Sequence, residues 1–221
     1  PNMKGYCNFV GVATGRGNTA KYVGDKYGFN YLAASADEIV NDDKINTVFI
    51  TTRHNLHAES VLRAVENKKH VFVEKPLAMN EVELNEIKSS FEKSGSKQLM
   101  VGFNRRLAPS VQELKKLFSK EQRKSILIRV NSGVMPADHW VNDPEIGGGR
   151  IIGEGCHFID LAMFLADSPI VSVSADTMND ANDLNNTVSI NLKMENGSIA
   201  SINYFSNGNK SVQKEYIEVF S

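Results

Sequence analysis

The chain has 221 residues, 41% hydrophobic and 23% charged, the balance of a folded globular protein with room for one large or two ordinary domains. A formal net charge of −1 and the lack of any basic run interleaved with aromatics exclude a bulk field for nucleic acid, and no apolar run is long enough to span a bilayer. Two cysteines, Cys7 and Cys156, give no disulfide framework, no secretory leader is visible, and a reducing, cytoplasmic setting is expected; the start at Pro1 reads as that of a fragment or processed form.

The first half alternates short apolar runs with helical patterns, as a parallel α/β sheet requires. Residues 8–13 read as a strand. Asn18 starts a helix through Tyr27 that Gly28 stops. Ser35-Ala36-Asp37-Glu38 is a capping box opening a short helix. Residues 45–51 read as a buried strand, followed by a helix with Leu56, Val61, Leu62 and Val65 on its apolar side. His70 to Val73 is the next strand, Asn80 opens a helix ending near Gly95, and residues 97–103 form the last strand of this half. The pattern then changes. A helix over 109–118 precedes a strand over 125–131, a stretch rich in Gly and Pro runs from 133 to 149, and an amphipathic helix carries His157, Leu161, Phe164 and Leu165 at helical spacing. Strand-like runs at 170–175, 187–194, 198–205 and 216–220 follow, with the hairpin signal Asn196-Gly197, so an antiparallel sheet is expected. The expected architecture is an α/β, Rossmann-like parallel sheet domain over residues 1–103, followed by an α+β domain with an open, largely antiparallel sheet over 104–221.

Three segments carry chemistry. Val71-Phe72-Val73-Glu74-Lys75-Pro76 brings an apolar strand to a Glu-Lys pair in a turn fixed by proline. A lysine held there can donate a proton or face an oxyanion, or simply lie solvated in a loop. Gly15-Arg16-Gly17-Asn18-Thr19-Ala20 matches G-x-G-x-x-A between a strand and a helix, the context for a pyrophosphate, with Asp37 at about the distance of a ribose partner; a plain Gly-rich turn is the other reading. The run from Gly147 through Glu154 to His157 supplies an imidazole that titrates in the range useful for acid–base work. Hydride transfer from a carbinol to nicotinamide needs a group to take the hydroxyl proton and a donor for the developing alkoxide; His157 and Lys75 are of those types. His54 and His57 lie close in sequence, but no third ligand has convincing spacing, so no metal is expected.

Glu74-Lys75-Pro76, the segment Thr51-Thr52-Arg53-His54-Asn55-Leu56-His57-Ala58-Glu59, Gly102-Phe103-Asn104-Arg105-Arg106 and the stretch from Gly147 to Asp160 together resemble the glucose-fructose oxidoreductase and inositol dehydrogenase family, in that family's order and over most of the chain. The resemblance implies a Rossmann domain followed by an α/β domain whose open sheet holds the substrate site and a homo-oligomer interface. It implies an NAD(P)-dependent oxidoreductase acting on a sugar, sugar derivative or polyol, with Lys75 beside the nicotinamide, Glu74 orienting it and His157 as acid/base. In such proteins the strand before Glu-Lys-Pro is the fifth of its domain. Counting back puts the strand at 8–13 second, places the first strand and its Gly-rich loop upstream of Pro1, and moves Gly15 and Gly17 to the adenosine ribose. Loss of a central strand should expose apolar sheet edges. Under this placement Thr14 stands where NAD-preferring members carry an acid, and with Gly15 and Arg16 it makes a corner tolerant of a 2′-phosphate, favouring NADP over NAD. Thr51, Thr52, Arg53, His54 and His57 are the further expected cofactor contacts, Arg53 replacing the family's usual proline. Many members carry Asp four residues before the histidine; Gly153 stands there, and Glu154, three residues before, is the expected substitute. Asn104, Arg105 and Trp140 are expected at the substrate. The stretch from Gly147 to Asp160 also resembles a subgroup fused behind a zinc-alcohol-dehydrogenase-like domain. A non-catalytic sugar- or nucleotide-sensing regulator is the alternative.

Overall fold

Short strands separated by helices favour crossover connections in the first hundred residues, and the strand pairs described there are parallel. The computed structural model describes residues 3, 5–15, 17–95, 98–179 and 184–221. The chain divides into two units, the first comprising Pro1–Thr52 and Leu56–Val101, the second Arg53–Asn55 and Gly102–Ser221.

In the first unit β1 (Gly11–Val12) pairs with β2 (Tyr31–Leu32), while β3 (Thr47–Ile50), β4 (His70–Val73) and β5 (Leu99–Val101) form a separate sheet in the order β3-β4-β5. The helices are α1 (Gly17–Tyr27), α2 (Ala36–Asn41), α3 (His57–Glu66) and α4 (Glu81–Lys93). Their ends follow local chemistry. Ser35 accepts from the Glu38 amide and Asn80 from the Glu83 amide, satisfying donors the first turn leaves open. Gly28, at φ +76°, turns the chain out of α1. Val61, Val65 and Ile87 from α3 and α4 close over Ile50, Val71 and Val73. The opposite side of the same strands aligns Phe49, Phe72 and Met100, and Phe49 and Met100 are 52% and 50% exposed. The strand read as buried thus buries only alternate side chains: both helices lie over the face bearing Ile50.

In the second unit α5 (Pro109–Lys116) and α6 (Cys156–Ala166) accompany five strands, β6 (Ser125–Asn131), β7 (Ile170–Met178), β8 (Thr187–Met194), β9 (Ile199–Phe205) and β10 (Glu215–Phe220). The sheet order is β10-β6-β9-β8-β7, with β6 and β9 parallel and the other pairs antiparallel. The sheet is largely antiparallel, as expected, with one parallel pair. The segment containing α6 separates β6 from the β7-β8-β9 meander, long enough for the crossover a parallel pair requires. Ile128, Ile202 and Tyr204 face Phe158, Leu161 and Leu165 of α6, and all six are at most 2% exposed. Burial of each aliphatic among them contributes about 1.5–3 kcal/mol. No helix among the described residues is long and apolar enough to cross a membrane.

Candidate active site

Each parallel sheet of the first unit delivers its carboxyl ends to one edge, where open α/β sheets bind ligands. Beyond β1 come half-buried Thr14 and exposed Gly15; a Cβ on Gly15 would meet nothing within 4 Å, so the backbone there is open to approach. Arg16 lies outside the described residues. Thr51 and Thr52, both exposed, follow β3. Glu74 and Lys75, both half-buried, follow β4, and the Glu74 amide donates to the Ile50 carbonyl at 2.9 Å. The Lys75–Pro76 peptide is cis. His57 is wholly buried, with Nδ1 2.6 Å from the Pro76 carbonyl oxygen and Nε2 3.1 Å from that of Thr52. Carbonyls only accept, so the ring donates to Pro76 and ties the loop after β3 to the turn carrying Lys75. Its effect on a bound cofactor passes through those loops.

In the second unit one turn of π-helix, Ile151–Gly155, runs into α6 and delivers His157, 4% exposed, to the start of that helix. The ring of Phe103 meets the imidazole edge-on at 6.0 Å. A π turn holds more residues than the 3.6 of an α-helix, so the step from Glu154 to His157 falls short of a full turn. Gly153, not Glu154, lies one turn before the histidine.

Glu154 looks elsewhere. The Tyr204 hydroxyl donates to its Oε2 at 2.5 Å, and Arg150 Nη2 lies 3.5 Å from the same oxygen. Arg150 is 4% exposed; its backbone amide donates to Asn186 Oδ1 and its Nη1 to the Gly133 carbonyl. A buried guanidinium needs an opposite charge and filled hydrogen bonds, and Glu154 supplies part of both. The Glu154 carboxylate, expected from sequence near His157, is through its Oε2 part of this network. Burial, and then the bond to Glu154, push the Tyr204 hydroxyl well above its ordinary titration range.

The expected substrate contacts divide. Asn104 is exposed at the start of a 3-10 turn. Arg105 makes a bidentate pair with Glu215 of β10, at 2.5 and 3.1 Å, over the ring of Phe158 at 4.5 Å. Its Nε and Nη2 thus serve the fold through Glu215. Trp140 is half-buried, with His54 edge-on at 4.8 Å and Arg53 over its ring at 5.6 Å. Sequence reasoning missed Phe103, Arg150 and Tyr204. A lone aromatic or arginine carries no sequence signal for its partner; only the adjacency of Phe103 to the Asn104 motif pointed that way.

A family model described as an oxidoreductase family with an NAD-binding Rossmann fold matches residues 2–103, and a GFO/IDH/MocA C-terminal domain model matches 124–220. The chain is 27% identical over 153 residues to a myo-inositol 2-dehydrogenase of Thermotoga maritima, covering 69% of this chain and 45% of that protein. It is 28% identical over 163 residues to a D-xylose 1-dehydrogenase (NADP+) of Haloferax volcanii, covering 72% and 50%. The chain thus spans about half the length of these curated relatives. A levoglucosan dehydrogenase solved with NADH and levoglucosan shares the fold, with a TM-score of 0.85 at 23% identity over 96% of this chain and 61% of that one.

The Tyr204 contact predicts a loss of stability. Tyr204→Phe removes a buried donor to a charged group and should cost about 1.5–3 kcal/mol in chemical denaturation. The raised titration of Tyr204 means that the folded state keeps a proton that the unfolded tyrosine releases near pH 10, so stability falls as pH rises beyond about 10. Denaturation midpoints measured from pH 8 to 11 should show that fall shallower in the phenylalanine variant.

Proposed function

The chain belongs to the Gfo/Idh/MocA family of oxidoreductases, and on that premise we propose that it transfers hydride, with NAD or NADP, between nicotinamide and a hydroxyl or carbonyl of a sugar, sugar derivative or polyol. The observation that carries this reading is Lys75 in the turn at the carboxyl end of β4 in a chain that also presents buried His157 at the start of α6. The dehydrogenase relatives support it; no comparison favours the sensing alternative. The nucleotide domain runs through residue 103 and the substrate domain from 104.

The residues at the strand ends suit a dinucleotide. Gly15 leaves open space, and Thr14, Thr51 and Thr52 offer hydroxyls beside the carboxyl ends of β1 and β3. These would hold the cofactor, with Arg53 and Glu74 nearby in sequence. When bound, nicotinamide takes or gives the hydride. The Lys75 ammonium holds negative charge that develops on the substrate oxygen, and His157 removes the hydroxyl proton on oxidation and returns it on reduction. Asn104 and Trp140 remain for the substrate. Two cysteines outside any disulfide, Cys7 and Cys156, support a cytoplasmic setting. The outer sheet face, where Ile199 and Phe220 are 53% and 59% exposed, supports self-association.

Three tests follow from these assignments. Lys75→Met and His157→Gln should each lower kcat by about 10²- to 10⁴-fold while NAD(P)H fluorescence still reports binding by the histidine variant; full turnover in either ends the assignment. Arg16→Ala should weaken NADP more than NAD, and equal loss for both cofactors would remove the case for NADP. A charge introduced by Phe220→Glu should lower the sedimenting mass if the outer face joins copies, and an unchanged mass rejects that face.

A further inference from the structure

His54 belongs, with Arg53 and Asn55, to the second unit. Its imidazole is 6% exposed, and Nδ1 stands 2.8 Å from the Gly147 carbonyl oxygen. A carbonyl only accepts, so Nδ1 carries a proton and donates to it. A Cβ built on Gly153 would lie 2.7 Å from His54 Cε1, 3.4 Å from Nδ1 and 3.8 Å from Nε2. The first distance is closer than carbon atoms in contact approach, about 3.5–4.0 Å. Positions 54 and 153 therefore share one volume: the ring fills the place where a side chain at 153 would begin. Residues four apart near a helix start lie on one face, with Cβ atoms about 5–6 Å apart. The ring that stands in for a side chain at 153 is thus set beside the base of His157.

We propose that His54 is the positioning residue for His157, an imidazole delivered from the loop after β3 into the space that Gly153 leaves bare. This rests on the dehydrogenase reading only for its catalytic consequence; the contact itself is a matter of shape. A short acceptor grown from 153 should do the same work once the ring is shortened, which makes the two positions exchangeable as a pair.

The test uses the full chain with its histidine rings ¹⁵N-labelled, as wild type, His54→Asn, His54→Gln, Gly153→Ala, Gly153→Asp and the double variant His54→Asn/Gly153→Asp. In the histidine variants the His157 ring resonances should move. With a turned-over sugar or polyol, kcat should fall about ten- to a hundredfold while substrate KM changes less than about threefold. Gly153→Ala and Gly153→Asp should lower the melting temperature, and the double variant should regain it together with at least about tenfold of the lost kcat. Unmoved His157 resonances in both His54→Asn and His54→Gln overturn the proposal, as does a double variant no more stable than Gly153→Asp. A wild type inactive on every sugar and polyol tried, with either nicotinamide, defeats the dehydrogenase reading alone; the ring spectra and melting cycle then still decide the placement of His54.

Discussion

The Cε1 atom of His54 stands 2.7 Å from where a Cβ of residue 153 would be, so the loop after β3 and the turn before α6 fit together only because residue 153 has no side chain. Much of the second unit is arranged around that fit. The same imidazole donates to the Gly147 carbonyl, the Asn55 amide donates to Ile146, and Trp140 lies against the ring. The stretch between β6 and α6 has little regular structure, yet it is fastened at these points. Gly147 is constrained in the same manner: a Cβ there would come within 2.5 Å of the Val141 carbonyl oxygen. Both glycines are needed for close approach.

Below this layer lies a charged network that an apolar core has to justify. Arg150 is almost fully buried, and an unpaired guanidinium in such a place is strongly destabilising. Its bonds to Gly133, its position beside Glu154 and the Tyr204 hydroxyl on the far side of that carboxylate form one connected set. Each member removes a desolvation cost from its neighbour. Glu154 is held by that set through its Oε2.

Local signals were legible where local physics decides. The strands at 70–73, 125–131 and 187–194 begin and end where apolar alternation meets turn residues, and the caps at Ser35 and Asn80 bond as their chemistry requires. Asn196-Gly197 sits between antiparallel β8 and β9, with Gly197 at φ +86°. What sequence could not yield depends on distant partners. The parallel pairing of β6 with β9 follows from the whole path of the intervening chain. Arg105 looked like a ligand-binding residue because Glu215 is 110 positions away. The π turn over Ile151–Gly155 has no composition signature, so the phase of residues 153 and 154 could not be taken from α-helical spacing.

His54 and His57, three residues apart, invite comparison with a ligand pair, but their bonds separate them. His57 donates to the Pro76 carbonyl and neighbours that of Thr52 inside the first unit; His54 donates to the Gly147 carbonyl inside the second. Both rings direct Nδ1 to a main-chain oxygen. A backbone bond of this kind is insensitive to which side chains line the loops, so the exposed hydroxyls of Thr51 and Thr52 and the turn carrying Lys75 can vary in chemistry while their main chain stays fixed.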